Sequence, residues 1–298
     1  MTISEFRKKF TTNEDCLKYL VELKWGDGYC CHKCKCSEYL KGRKWFYRRC
    51  KSCKYDESVT ANTMFHKCKL PLLTVMEMAY RISVKKIGMS SVELSKEFGC
   101  QQKSAWLLKG KFQNAMESSG QYPLEDAVEV DEFLVGGIEE NMRGRSHGKK
   151  SLVVIGVEKV LNKKGKPTMG RAYARVINTA STVDLQPFFE EKISADAEIT
   201  TDGWPGYLPL RKQFTIKKKL SDGGKGFPLL HTHIMNIKGW LRGVHHKCSN
   251  GRLQNYLNEF HFRFNRRSFL DTILTKLMER AIAMNPIPYK IIRCELST

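Results

Sequence analysis

The sequence has no apolar run approaching the roughly 20 residues that a membrane-spanning helix needs, which argues against a helical membrane protein. Its opening, MTISEFRKKF, lacks the apolar core of a secretory signal, so a cytosolic protein is expected. Acids are scarce beside bases: 31 Asp and Glu stand against 51 Lys and Arg, leaving a formal charge of +20 and a pI of about 9.5. Such an excess favours a polyanionic partner, because phosphates neutralised by Lys and Arg release their condensed counterions. Nucleic acid is the leading candidate. Cysteines are not spread along the chain either, since seven of the eleven crowd between positions 30 and 68 of an otherwise long sequence, a distribution that favours metal over disulfides. At 298 residues the chain can bury a sizeable core and holds two or more structural units.

In YCCHKCKCSEYLKGRKWFYRRCKSCKYDESV, Cys31 and Cys34 form one C-x2-C pair, and Cys50 and Cys53 form a second after fifteen intervening residues. Two such knuckles bring four thiolates to one tetrahedral site, the arrangement structural Zn²⁺ prefers. Pairing Cys30 with His32 or Cys36 gives poorer spacings. The intervening KWFYRR suits a short hairpin with too few apolar side chains to fold alone, so metal binding would supply the missing folding energy. Four cysteine ligands close the site and make it structural, its task being to hold a small basic module against DNA or a partner protein. Cys16, Cys68, Cys100, Cys248 and Cys294 read as ordinary thiols.

From Pro71, LLTVMEMAYRISV reads as a buried helix. Ser90 and Glu93 in SSVELSKEFG match the Ser-x-x-Glu capping box, Leu94 and Phe98 lie four apart, and Gly99 ends the helix. In QQKSAWLLKGKFQNAM, Ala105, Leu108 and Phe112 make an apolar stripe. Two short helices joined at a glycine fit a helix-turn-helix. Gln101, Gln102, Lys103 and Ser104 would then meet base edges at the start of the second helix, and Lys109 and Lys111 would serve phosphates. The plainer alternative leaves them solvated on a small helical bundle.

In AVEVDEFLVGG, Val128 and Val130 alternate with Glu129 and Asp131 at the period of a half-buried strand, and Gly136-Gly137 reads as a turn. Adjacent strand residues face opposite sides, so without a local twist or bulge Asp131 and Glu132 cannot both face one reacting centre, and at most one is expected to be primary. Two further β-rich runs, SLVVIGVEKV and GRAYARVIN, flank the turn LNKKGKP; TASTVDLQPFFEEKI looks helical, and AEITTDGWPGY returns to a strand that stops at Asp202-Gly203. This is the element order of a ribonuclease-H-like domain, in which the first strand and the strand after the first helix are neighbours, so Asp131 and Asp202 would meet at one end of the sheet. Two carboxylates there suit Mg²⁺, which prefers oxygen ligands and binds phosphate, with Mn²⁺ as a substitute. A pair of such ions about 4 Å apart activates the attacking oxygen and stabilises the leaving one. A third oxygen ligand is expected downstream on a helix.

Four histidines, His231, His233, His245 and His246, imitate a metal cluster, but magnesium chemistry gives histidine little role as a ligand. They read mainly as polar groove residues, with His231 or His245 available to touch a phosphate or the attacking water. Trp204 and Trp240 read as core aromatics, and KKKLSDGGKGFP at 217–228 as a mobile basic loop.

VDEFLVGG, TTDGWPGY, NIKGWLRGVHH and YLNEFHFRFNRR, preceded by CHKC, CKSC and TMFHKCKLPL, together resemble the zinc-ribbon insertion-sequence transposases of the DDE type, the ISXO2-like group related to eukaryotic Merlin elements. The resemblance is colinear from about residue 20 to 285. It implies that Asp131 and Asp202 are the first two catalytic positions and Asn236 the third, 34 residues after Asp202. An asparagine there offers a carbonyl oxygen to a metal without charge. The family's basic residue near the third position is matched best by Lys238, with Arg242 as an alternative phosphate contact; on a regular helix these lie about 200° and 240° round from Asn236. Glu259 could complete the metal site in place of Asn236, but it lies 57 residues after Asp202 and is better read as a supporting group or an ion-pair partner of Arg266 or Arg267.

The expected organisation is an N-terminal helical segment at 1–25, a zinc ribbon at 26–67, a helix-turn-helix segment at 68–120, a ribonuclease-H-like α/β catalytic domain with a mixed sheet and flanking helices at 121–268, and a C-terminal helical tail at 269–298. The expected function is a transposase that binds the terminal inverted repeats of its element, cleaves the ends and transfers the 3′ ends to target DNA by two-metal phosphoryl transfer. It would need structural Zn²⁺ and catalytic Mg²⁺, double-stranded DNA as partner, and a homodimer or larger assembly to pair two ends. It would work in the cytoplasm, on the nucleoid of a bacterium when DNA-bound. The rivals are a DNA-binding regulator without catalysis, kept open by Asn236, and a nuclease of the same fold.

Overall fold

Capping residues open the helices of the N-terminal region. Thr2 accepts the Glu5 N–H while the Glu5 carboxylate takes the Thr2 N–H, which starts α1 (Ile3–Lys9), and Thr12 with Asp15 repeats this box at α2 (Asn13–Trp25). The computed structural model describes residues 1–137, 150–220, 222, 225–245 and 248–294, although the side chains of residues 293 and 294 lie outside the description. The expectations for His246, for the Cys294 thiol and for positions 221, 223 and 224 of the basic loop therefore fall outside the described residues. The chain divides into two units, Met1–Met116 with the segment from Arg266 onward, and Glu117–Asn265. Among the described residues no helix is long and apolar enough to cross a membrane.

In the first unit, β1 (Tyr39–Lys41), β2 (Tyr47–Cys50) and β3 (Asp56–Ser58) form a small antiparallel sheet in that order. It is followed by α3 (Leu72–Val84), which buries Val75, Met76, Met78, Ala79 and Ile82. Ser90 caps α4 (Ser91–Glu97) by accepting the Glu93 N–H. The Glu93 carboxylate is turned to Lys85 instead of completing the expected box. Gly99, at φ +59°, makes the left-handed turn into α5 (Gln102–Ala115), whose Ala105, Leu108 and Phe112 are buried as their spacing predicts.

The second unit is built on a five-stranded mixed sheet ordered β6-β5-β4-β7-β8, comprising β4 (Ala127–Val135), β5 (Ser151–Leu161), β6 (Pro167–Ile177), β7 (Glu198–Thr201) and β8 (Thr215–Lys218). The first three strands run antiparallel, while β4 to β7 and β7 to β8 are parallel pairs. The first strand of the unit thus lies beside the strand that follows its first helix, α6 (Thr182–Lys192), as a ribonuclease-H-like core requires. One face packs Phe133, Val153, Ile155 and Ala172 against α7 (Pro228–Val244) and α8 (Asn250–Phe264). The other packs Val128, Val130 and Val154 against α6 and the 3-10 turns Pro205–Tyr207 and Pro209–Lys212. Because both faces are covered, β4 is a central strand and not the half-buried one its alternation suggests. Glu129, on the polar side of that alternation, is buried and pairs with Lys159 at 3.2 Å.

The seam between α7 and α8 contains a buried histidine pair, His233 Nε2 to His261 Nε2 at 3.3 Å. His261 Nδ1 lies 2.8 Å from the Leu257 carbonyl, so Nδ1 is the donor and the His261 Nε2 accepts from His233. Burial pushes the His261 imidazole down to about 4, against the opposing pull of that carbonyl. Its stabilising contribution is complete above the ordinary histidine value near 6.5 and lost as pH falls toward 4. We expect urea-unfolding free energies flat above pH 7 and lower by about 3 kcal/mol at pH 4 on this account, with a shallower slope in His261→Gln.

After α8 the chain returns to the first unit. Helix α9 (Ile273–Ala283) buries Ile273, Leu274, Leu277, Met278, Ala281 and Ile282 at helical spacing and packs on α2, α3 and α5. Its Ala281 carbonyl accepts the Met64 N–H. The short α10 (Tyr289–Cys294) lies on α5. The C-terminal segment, which reads as a tail, is part of the core formed by the N-terminal residues.

Candidate active site and metal centre

Cys31–Cys36 and Cys50–Tyr55 fold into two knuckles of one shape. In each, the first cysteine's carbonyl accepts from a lysine four residues on, Lys35 at 3.0 Å and Lys54 at 3.1 Å, and that lysine is left-handed, at φ 60° and 58°. The same cysteine's N–H donates five residues ahead, to the carbonyls of Cys36 and Tyr55, each at 2.9 Å. This geometry aims both thiols of each knuckle at one point. The Sγ atoms of Cys31 and Cys53 are 3.6 Å apart, those of Cys34 and Cys50 are 3.5 Å apart, and all four lie within 4.8 Å of one another. Zn–S bonds of about 2.3 Å imply tetrahedral edges of about 3.8 Å, so this donor set fits Zn²⁺. Burial pushes the Cys31 thiol up, but N–H groups of Cys34 and Lys33 outweigh it and hold the thiol below its usual range, ready to ligate as thiolate. Cys30 and Cys36 are turned aside, toward the carbonyls of Lys35 and Glu38. Among the described residues, the four cysteines are the only group of three or more His, Cys, Asp or Glu side chains placed to share an ion.

The acid pair is set by strand register. Ala127 is level with Glu198, Val128 with Ile199 and Glu129 with Thr200, so two more steps bring Asp131 level with Asp202, just past the end of β7. Alternation along β4 puts Asp131 on the Phe133 side, under α7, where its Oδ2 lies 3.7 Å from His231 Nε2. Its Oδ1 accepts the Glu132 N–H at 2.8 Å. Asp202 Oδ1 accepts the Trp204 N–H at 3.0 Å, a tight turn for which Gly203 adopts φ +86°; a Cβ there would meet the Lys218 side chain at 2.5 Å. Two side-by-side carboxylates suit a hard divalent cation, which commonly takes one or two protein carboxylates and completes its shell with water and phosphate. Glu132, as alternation requires, faces the other way and accepts a hydrogen bond from the Tyr207 hydroxyl at 2.6 Å.

On α7, His231 and Lys238 are seven residues apart and hence within about 20° of each other round the helix. The Lys238 ammonium lies 5.6 Å from the centre of the Phe133 ring, two residues beyond Asp131 on the same face of β4. Burial lowers its pKa, and the nearby charges of Arg242 and Lys150 lower it further. Three cations in one neighbourhood form a place where an anion would relieve repulsion. Asn236 is exposed and sits about 140° round from His231. Arg242 is also exposed, one turn beyond Lys238. Glu259 is fully buried on α8 and pairs with Arg263 at 2.5 Å, whose guanidinium lies 5.3 Å from the Trp240 ring. Helix α8 is anchored on β6 through Gln254 and Asn265, at the opposite edge of the sheet from β8. His245 stacks on Tyr256 at 3.8 Å. Trp204 and Trp240 pack against the two cores. The contact of His231 with Asp131 and the link from Tyr207 to Glu132 escape sequence reasoning; the one available signal is the seven-residue spacing of His231 and Lys238.

In the first unit, Gln101, Gln102 and Lys103 are exposed at the start of α5 and Ser104 is half-buried. Gln102 donates to Ser91 Oγ at 2.9 Å, tying α5 to α4, and the Lys103 ammonium lies 4.9 Å from the Tyr289 ring of α10. Lys109 and Lys111 correct an expectation. Lys109 is buried and donates to the Met89 carbonyl, and half-buried Lys111 donates to the Met64 carbonyl at 3.3 Å. Both ammonium groups satisfy loop carbonyls of their own unit instead of reaching for phosphates.

No curated protein matches the chain. Residues 123–265, nearly the whole of the second unit, match the family model of the ISXO2-like transposase domain. The register that sets Asp131 level with Asp202 on a ribonuclease-H-like sheet lies within the stretch that matches this transposase-domain model.

Proposed function

We propose that this protein is a DNA transposase that binds the terminal inverted repeats of its own element, cleaves the element ends and joins the 3′ ends to target DNA. The observation that carries the reading is the register of the parallel strands β4 and β7, which sets Asp131 level with Asp202 just past the end of β7, under a helix that offers His231 and Lys238 on one flank. Asp131 and Asp202 would hold a divalent cation, Mg²⁺ or Mn²⁺, which when bound activates the attacking oxygen and neutralises charge at phosphorus. We place His231 in the third position and leave Asn236 outside, because His231 meets Asp131 and Asn236 lies on another side of the helix. His231 would donate from its ring to a phosphate oxygen or orient the attacking water. Lys238, Lys150 and Arg242 would hold the flanking phosphates. Glu259 would support α7 through its ion pair without touching substrate. The zinc ribbon and the exposed start of α5, with Gln101, Gln102 and Lys103, would recognise the ends, and pairing two ends would take a homodimer or larger assembly acting in the cytoplasm.

The test incubates the zinc-loaded protein with Mg²⁺ and DNA carrying its element end. Cleavage followed by joining is expected; cleavage alone would identify a nuclease and binding alone a regulator. In the same assay His231→Ala should slow cleavage about 100-fold and Asn236→Ala only a few-fold. The reverse order would return the third position to Asn236.

A further inference from the structure

The hydrogen-bonded ladder between β4 and β7 ends at Glu129 and Thr200, two residues short of Asp131 and Asp202. Each aspartate is therefore held by its own side of the sheet, Asp131 by the pairing of β4 with β5 and the end of β7 by its pairing with β8. Some other contact must fix the gap between the two carboxylates. The loop after Asp202 supplies one. Its Trp204 indole N–H donates to the Ala180 carbonyl at 2.7 Å, and its Gly206 carbonyl accepts from the Thr182 hydroxyl at 2.8 Å, both at the start of α6. A Cβ on Gly206 would lie 2.4 Å from the Ala180 carbonyl, so the loop is drawn close enough there to need glycine. The loop then delivers Tyr207 into the core, its ring 5.8 Å from that of Phe189 and its hydroxyl 2.6 Å from Glu132 Oε1, back on β4. Burial, followed by the carboxylate charges of Glu132, Asp131 and Asp202, drives the Tyr207 pKa well above its usual value, so the phenol stays a donor and the short bond is charge-assisted.

We propose that Tyr207 and Glu132 are positioning residues: their hydrogen bond replaces the missing ladder rungs, fixes the separation of Asp131 and Asp202, and so sets the affinity of the pair for its divalent cation. This rests on the reading of the aspartates as a cation site. It also gives the second acid of the VDEF motif a role that its orientation, away from the reacting centre, otherwise denies it.

The test measures Mn²⁺ binding to zinc-loaded full-length protein by electron paramagnetic resonance, without DNA. Tyr207→Phe, which deletes only the hydroxyl, should weaken Mn²⁺ binding about tenfold. Glu132→Ala should do the same and Glu132→Gln, which keeps an acceptor oxygen, much less. Combining Tyr207→Phe with Glu132→Ala should be no worse than either alone. The variants at half-buried Glu132 keep the test open should the change at fully buried Tyr207 perturb folding. Asp131→Asn serves as the reference. If it abolishes binding while Tyr207→Phe and Glu132→Ala bind like the parent protein, the strap is overturned and the acid pair stands. If Asp131→Asn itself binds normally, the pair is not the cation site and the strap falls with it.

Discussion

Asp131→Asn and Asp202→Asn should each lower end cleavage and strand joining by at least about 10³-fold while leaving affinity for the element end within about twofold. The substitution is chosen so that the fold is untouched. Asn keeps the Oδ1 acceptor, so the bonds from the Glu132 N–H to position 131 and from the Trp204 N–H to position 202 can persist. What disappears is one negative charge at a place where, on the proposed reading, the charge of a cation and its phosphate ligand would have to be balanced. Glu132→Gln removes a charge from the neighbouring residue on the opposite face and should cost far less. Cleavage gels and mobility shifts on one DNA fragment separate the two effects, and full activity in either aspartate variant would remove the acid pair from the mechanism.

The second large effect is on the four-cysteine group that fits zinc. Cys50→Ser, or complete zinc removal by a chelator, should unfold the ribbon and reduce affinity for the element end at least about 100-fold, without moving the unfolding transition of the second unit. The reason is size. Strands of three or four residues, with every residue of β1 exposed, bury too little apolar surface to offset their conformational entropy. Structural zinc contributes about 10–16 kcal/mol in small sites, comparable to the stability of a whole domain. Cys50 is fully buried, so its loss cannot be made good by a surface thiol. Cys30→Ser and Cys36→Ser should be silent. Zinc content, protease cleavage within 26–67 and DNA binding report the outcome; unchanged binding by the metal-free protein would show that the ribbon does not take part in end recognition.

What can be read from sequence here follows the range of the physics involved. Knuckle spacing is local, so Cys31, Cys34, Cys50 and Cys53 stand out from their flanking cysteines. Strand alternation is local too, and it separates Asp131 from Glu132 correctly. The juxtaposition of Asp131 and Asp202 is not local, but the order of strands and helix encodes it through topology. Helix phase relative to the sheet is another matter. Nothing in NIKGWLRGVHH states which flank of α7 overlies Asp131, so letter matching singles out Asn236 while His231 makes the contact. Burial of charge is hidden for the same reason: Lys109 and Lys111 look like phosphate contacts until the loops around Met89 and Met64 are seen to present their carbonyls. The partner of Glu132 lies 75 residues away, beyond any sequence period.

The return of α9 to the first unit has a consequence for timing. A ribosome releases the ribbon and α2, α3 and α5 first, yet these cannot bury their shared apolar surface until Leu277 and Ala281 emerge. Between them lie the 149 residues of Glu117–Asn265, about 7–30 s of synthesis at ordinary elongation rates. The nascent chain thus completes its second unit, the one that matches the transposase-domain model, before its first, and a prematurely terminated product would lack a finished first unit altogether.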